Sequence, residues 1–89
     1  MATLFVKHRV VDYGAWRQVY DGFRPTQTKL GVQAQAVYRG ADDPNEITVT
    51  HDFATLDSAR TFADSPELHA AMASAGVDGA PTIWFTNPV

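Results

Sequence analysis

Apolar and polar positions alternate with period two over residues 3–10. Leu4, Val6, His8 and Val10 point one way, and Thr3, Phe5, Lys7 and Arg9 the other. That pattern predicts a half-buried strand. Asp12 then offers an N-cap, and Tyr13, Trp16, Tyr20 and Phe23 recur at helical spacing. Pro25 is expected to interrupt or restart this helix, and Leu30-Gly31 to end it. Residues 32–39 alternate again, with Val32, Ala34, Ala36 and Tyr38 on one face and Gln33, Gln35, Val37 and Arg39 on the other. A turn-rich stretch, Gly40 to Asn45, predicts a hairpin into a third strand in which Ile47, Val49, His51 and Phe53 share a face. Thr55 caps a helix through Ala63, and Ser65-Pro66-Glu67 signals a second helical start over 66–75. Gly79-Ala80-Pro81 is read as the turn into a last strand, 82–86.

The order is β-α-β-β-α-β. It predicts an α+β ferredoxin-like sandwich over residues 1–89, with one four-stranded antiparallel sheet and its helices on one face. An internal repeat supports it. Val6, His8, Val10, Asp12 and Arg17 correspond to Val49, His51, Phe53, Thr55 and Arg60 at a constant offset of 43 residues. Each copy is a strand running into a capped helix, which is a pseudo-twofold read in sequence.

Helices on one face leave the other face of the sheet open. The expected open face is Phe5, Lys7, Arg9, Gln33, Gln35, Val37, Thr48, Thr50 and Asp52, joined by Trp84. Phe5, Val37 and Trp84 form an apolar patch there, of the kind that marks an interface. The expected partner is a second copy, giving a homodimeric α/β barrel.

Composition narrows the chemistry. There are no cysteines, which excludes disulfides and thiolate zinc sites. A net charge of −3 provides no basic footprint for nucleic acid. No apolar run is long enough for a signal peptide or a membrane span, so the default expectation is a cytoplasmic protein with no membrane partner. His8 and His51 lie on the otherwise apolar, helix-facing side of the sheet. A third metal ligand is not apparent: Asp52 points to the opposite face and His69 sits on the second helix, so no metal and no cofactor is expected.

The motifs Asp12-Tyr13-x-x-Trp16, Thr55-Leu56-Asp57-Ser58-Ala59-Arg60-x-Phe62 and Ser65-Pro66-Glu67-Leu68-x-x-Ala71-Met72 resemble the dimeric α/β-barrel superfamily. The nearest branch is the antibiotic biosynthesis monooxygenase family. That resemblance implies a fold, and a range of activities that includes cofactor-independent oxygenases, cyclases and isomerases. Oxygenases of that family use Asn, Trp and Tyr around the substrate. Here Asn45 and Asn87 fall in loop or terminal segments, so no catalytic residue carries over.

Two functional readings follow. In one, the chain is a small enzyme. A flat, largely apolar ring compound binds between sheet and helices, against Tyr20, Tyr38, Trp16, Phe62 and Met72, and His51 or His8 acts as general base. In the other, it is a non-catalytic homodimer that binds a small molecule or stabilises a partner. The histidines are then structural and the aromatic side chains fill the space.

Overall fold

The computed structural model describes residues 1–89. The elements are β1 (Ala2–Val10), α1 (Tyr13–Lys29), β2 (Ala34–Arg39), β3 (Glu46–Phe53), α2 (Leu56–Ala63), α3 (Pro66–Ser74) and β4 (Val77–Thr86). The strands form one antiparallel sheet in the order β2-β3-β1-β4, with β1 and β3 central and the helices on one face, as the βαββαβ pattern predicts.

Local chemistry starts and stops the helices as the sequence suggests. The Asp12 carboxylate accepts from the Gly14 amide, the Thr55 hydroxyl from Ser58, and the Ser65 hydroxyl from Leu68. One expectation fails: α1 runs unbroken through Pro25. The proline removes only the amide that Asp21 would receive. Both residues are exposed, so that carbonyl is open to solvent rather than buried without a partner. The last strand also starts earlier than expected, at Val77. Its pairing with β1 slips between Lys7 and Arg9, which leaves Gly79-Ala80-Pro81 as a bulge opposite His8. A bulge is where a sheet tolerates proline.

The register of β1 on β3 sets Val6 opposite Val49. These two residues also correspond in the 43-residue repeat, so the pseudo-twofold passes between them. Around that point the core divides in two. One cluster gathers Leu4, Phe53, Ala59, Phe62 and Leu68 among others; the second gathers Val10, Trp16, Tyr20, Ile47 and Ala75.

The second strand corrects the sequence reading. Gln35 pairs with His51 and Val37 with Val49, and directly opposed residues share a face. Gln35, Val37 and Arg39 therefore face the helices, while Ala34, Ala36 and Tyr38 face outward. The contacts agree. The Tyr20 hydroxyl donates to Gln35 Oε1, Arg39 lies 4.0 Å over the Tyr13 ring, and Tyr38 is 58% exposed. The cause is the end of α1. Gly31 takes φ 101°, its amide bonds the Thr28 carbonyl, and the Val32 amide bonds the Gln27 carbonyl. This is a Schellman cap, whose residue after the glycine packs against the helix it closes. Val32 is apolar because it belongs to that cap, and the strand's alternation begins only after it.

The open face therefore lacks Val37 and gains Tyr38. Phe5 and Trp84 stack there with centroids 5.1 Å apart. Charges of both signs border the face, with Lys7 bonded to Glu46 at 2.6 Å and Arg9 to Asp43.

The observed register makes a measurable demand. Tyr20→Phe, Gln35→Leu and the double variant, compared by urea unfolding, are expected to show a coupling of about 0.5–1.5 kcal/mol, the net worth of one hydrogen bond. In the opposite register Gln35 lies on the far side of the sheet, and the coupling is absent.

Candidate functional site

The seam between the two core clusters is not closed. A small apolar cavity of about 40 Å³ lies there. Its floor is Val6 and His8 of β1 with Val49 and His51 of β3. Its roof is Trp16, Val19, Tyr20, Phe23 and Gln27 of α1 with Leu68, Ala71, Met72 and Ala75 around α3. The helical spacing of the α1 set keeps one stripe of that helix over the floor. A space of this size accommodates only a few waters.

The fold symmetry explains why both imidazoles face this space. Each histidine follows its valine by two residues, on strands that run in opposite directions. His8 and His51 therefore lie on the same face but on opposite sides of the Val6–Val49 pair. His8 pairs with Ile47, four residues from His51, so the two are roughly 14 Å apart along the strands. They line one cavity from its two ends and cannot bind a common proton or ion. His69 is exposed on α3 and does not join them.

Their surroundings differ. His8 sits beside Trp16, with ring centroids 5.8 Å apart, and neither of its nitrogens has a hydrogen-bond partner. His51 lies between Tyr20, at 6.5 Å, and Phe62, at 5.1 Å. Its Nε2 is 3.4 Å from Gln27 Nε2, and its Nδ1 is unpartnered. With the amide nitrogen turned toward the ring, Gln27 donates to Nε2 and the ring proton sits on Nδ1. With the amide reversed, Nε2–H donates to Gln27 Oε1 and Nδ1 presents a free lone pair.

Burial penalises the imidazolium in both places. It pushes His51 down to about 4, against the opposing pull of Asp52, and it lowers His8 as well. Burial raises the Tyr20 hydroxyl. At neutral pH the cavity thus holds two neutral imidazoles and a protonated phenol.

Of the side chains expected around a ligand, Trp16, Tyr20 and Met72 line the cavity. Phe62 does not; it stands behind His51 in the core. Tyr38 is on the opposite side of the sheet, because β2 presents its other face to the helices. Gln27 is the residue that sequence reasoning missed. It is 2% exposed and its Oε1 has no partner. Its signal was faint: a glutamine four residues after Phe23, continuing the apolar stripe past Pro25.

The neutral burial of His51 has a thermodynamic consequence. The unfolded chain takes up this proton near the ordinary pKa of 6.5, and the folded chain only near 4. Folding stability is therefore complete above pH 6.5 and falls as the pH drops toward 4, by up to about 3 kcal/mol from this group. Urea unfolding at successive pH values is expected to show a shallower loss between pH 7 and 5 for His51→Phe than for the natural chain. Parallel curves refute the buried neutral state.

No protein-family model matches the chain, and no curated protein matches it in sequence. Solved structures do resemble it. A candidate antibiotic biosynthesis monooxygenase from Bordetella bronchiseptica superposes with a TM-score of 0.85 at 16% identity, covering 99% of this chain and 96% of that one. SnoaB, a cofactor-independent oxygenase from Streptomyces nogalater, gives 0.80 at 11% identity, covering 99% and 92%. A conserved protein from Methanosarcina mazei gives 0.76 at 14% identity, covering 96% and 89%. At these identities the likeness is one of backbone: the chain carries the ferredoxin-like fold of the antibiotic biosynthesis monooxygenase-like proteins.

Proposed function

We propose that this chain is a small monooxygenase-like enzyme that binds a flat, mostly apolar ring compound between sheet and helices and removes a phenolic or enolic proton with His51. The observation that carries the reading is a buried, neutral imidazole with an unpartnered nitrogen in an apolar cavity. With Gln27 Oε1 turned to accept from Nε2–H, the free Nδ1 accepts a proton without first losing one. A base held near 4 is weak toward water-solvated acids. It becomes effective when the ligand displaces water and the nascent anion lies close enough to stabilise the imidazolium. Tyr20 stays protonated, and its one O–H leaves Gln35 Oε1 to donate to the developing oxyanion. The carbanion that results is the nucleophile for dioxygen or for an internal carbonyl. SnoaB, with the same fold, is described as cofactor-independent, which is in keeping with a step of this kind.

The cavity must widen for this. At about 40 Å³ it does not hold a ring, and the roof at Ala71, Met72 and Ala75 of the α3 segment is where small and flexible side chains let it part from α1. The tight cavity is also the one observation that favours the second reading, a non-catalytic dimer whose aromatic side chains simply fill the space.

The same proposal includes a homodimer formed through the open sheet face. Stacked Phe5 and Trp84, exposed Tyr38, and rim charges of both signs make a surface that complements a second copy of itself.

With a true substrate, His51→Phe is expected to lower kcat about 10²–10⁴-fold, the usual worth of a general base, while His8→Phe has a smaller effect. Unchanged kcat for His51→Phe rejects the mechanism. Sedimentation equilibrium at micromolar concentration is expected to give a dimer for the natural chain and a folded monomer for Trp84→Glu; a monomeric natural chain rejects the interface.

A further inference from the structure

A second, polar space adjoins the cavity. It is a cleft of about 290 Å³ between the C-terminal half of α1 and the start of β2, bordered by Arg24, Gln27, Gln33 and Gln35. No carboxylate lines it. Arg24, like Lys29, Arg39 and Arg60, has no carboxylate within ion-pair distance, and it is the one of these that borders the cleft. Arg24 is exposed and available, and the Gln33 amide makes no side-chain hydrogen bond. One cation and three amides without an acidic neighbour form a receptor for oxygen anions.

The partition between cleft and cavity is thin. Gln27 borders both spaces, and the Tyr20–Gln35 hydrogen bond joins a cavity residue to a cleft residue. Gln27 is almost wholly buried, yet its Oε1 is unpartnered and its amide nitrogen lies 3.4 Å from His51 Nε2. A buried acceptor left without a donor calls for a partner that the folded chain does not itself supply.

We propose that the cleft receives the acidic end of an aromatic ligand, a carboxylate or phenolate. The ring of that ligand occupies the cavity, with Arg24 as counter-ion and Gln27 as the partition that turns to admit it. This rests on the reading of the cavity as a ring-binding site, and it specifies the substrate class: acidic aromatic compounds rather than neutral ones. It also sets the ligand's direction, acid toward β2 and ring under Tyr20 and His51.

The test uses 2-naphthoate and its uncharged counterpart 2-naphthamide, titrated by ¹⁵N-resolved NMR into the full chain and into Arg24→Gln. Arg24 is on the surface, so the variant is expected to fold, and its amide spectrum verifies this. The natural chain is expected to bind 2-naphthoate about tenfold more tightly than 2-naphthamide, as a charge-assisted contact at a partly open site predicts. Both probes shift cavity amides around Val49 and Ala71, and only the naphthoate shifts the Gln33 side-chain amide. Arg24→Gln loses the preference and keeps its affinity for 2-naphthamide. If the natural chain binds both probes equally, or Arg24→Gln retains the preference, the acid site is refuted and the cavity reading stands. If neither probe shifts a cavity amide, both are refuted.

Discussion

The pairing of Val6 with Val49 is the constraint on which the rest of the structure depends. It sets β1 against β3, and it lies on the pseudo-twofold that relates the two βα halves. Because side chains alternate along a strand, a slip of one residue would turn His8, His51 and the apolar residues around them to opposite faces. With the register as found, Leu4, Val6, Val10, Ile47, Val49 and Phe53 are all buried on the helix side, and that burial opposes any slip. The imidazoles are carried inward by the same alternation.

What results is a core with a polar interruption. Two apolar clusters close the ends of the sandwich, and the seam between them holds His8, His51 and Gln27, with four buried polar atoms lacking partners. A domain of 89 residues has little stability to spare, and groups of this kind each oppose folding. An all-apolar seam would be more stable. These polar side chains coincide with the cavity and with a neutral imidazole. The adjoining cleft extends that polarity to the surface at Arg24. The apolar cavity, His51 and the Arg24 cleft thus lie in sequence from the middle of the sandwich to its β2 edge.

The β2 correction shows how a local rule misleads. Val32, Ala34, Ala36 and Tyr38 form an acceptable apolar alternation, and the opposite set holds two glutamines and an arginine. Yet the helices receive Gln35, Val37 and Arg39. Each polar member has a partner on α1 or in the hairpin: Tyr20 for Gln35, and the Tyr13 ring and Pro44 carbonyl for Arg39. The α1 partners come from a distant segment, and no window of the strand contains them. The effect on the site is direct, since Tyr38 leaves it and Gln35 joins its edge.

The sequence by itself determined the element order, the caps, the central strand pair and the inward placement of both histidines. These rest on short-range alternation and on cap chemistry, which act within a few residues. Tertiary structure alone decided three things. The strand register held the histidines at opposite ends of one cavity rather than beside each other. The Schellman cap at Gly31 chose the face of β2. The continuation of α1 through Pro25 brought Gln27 down onto His51. The register is settled by packing across the sheet, and the other two by how far α1 runs before it closes at Gly31, which the alternation within β2 does not contain.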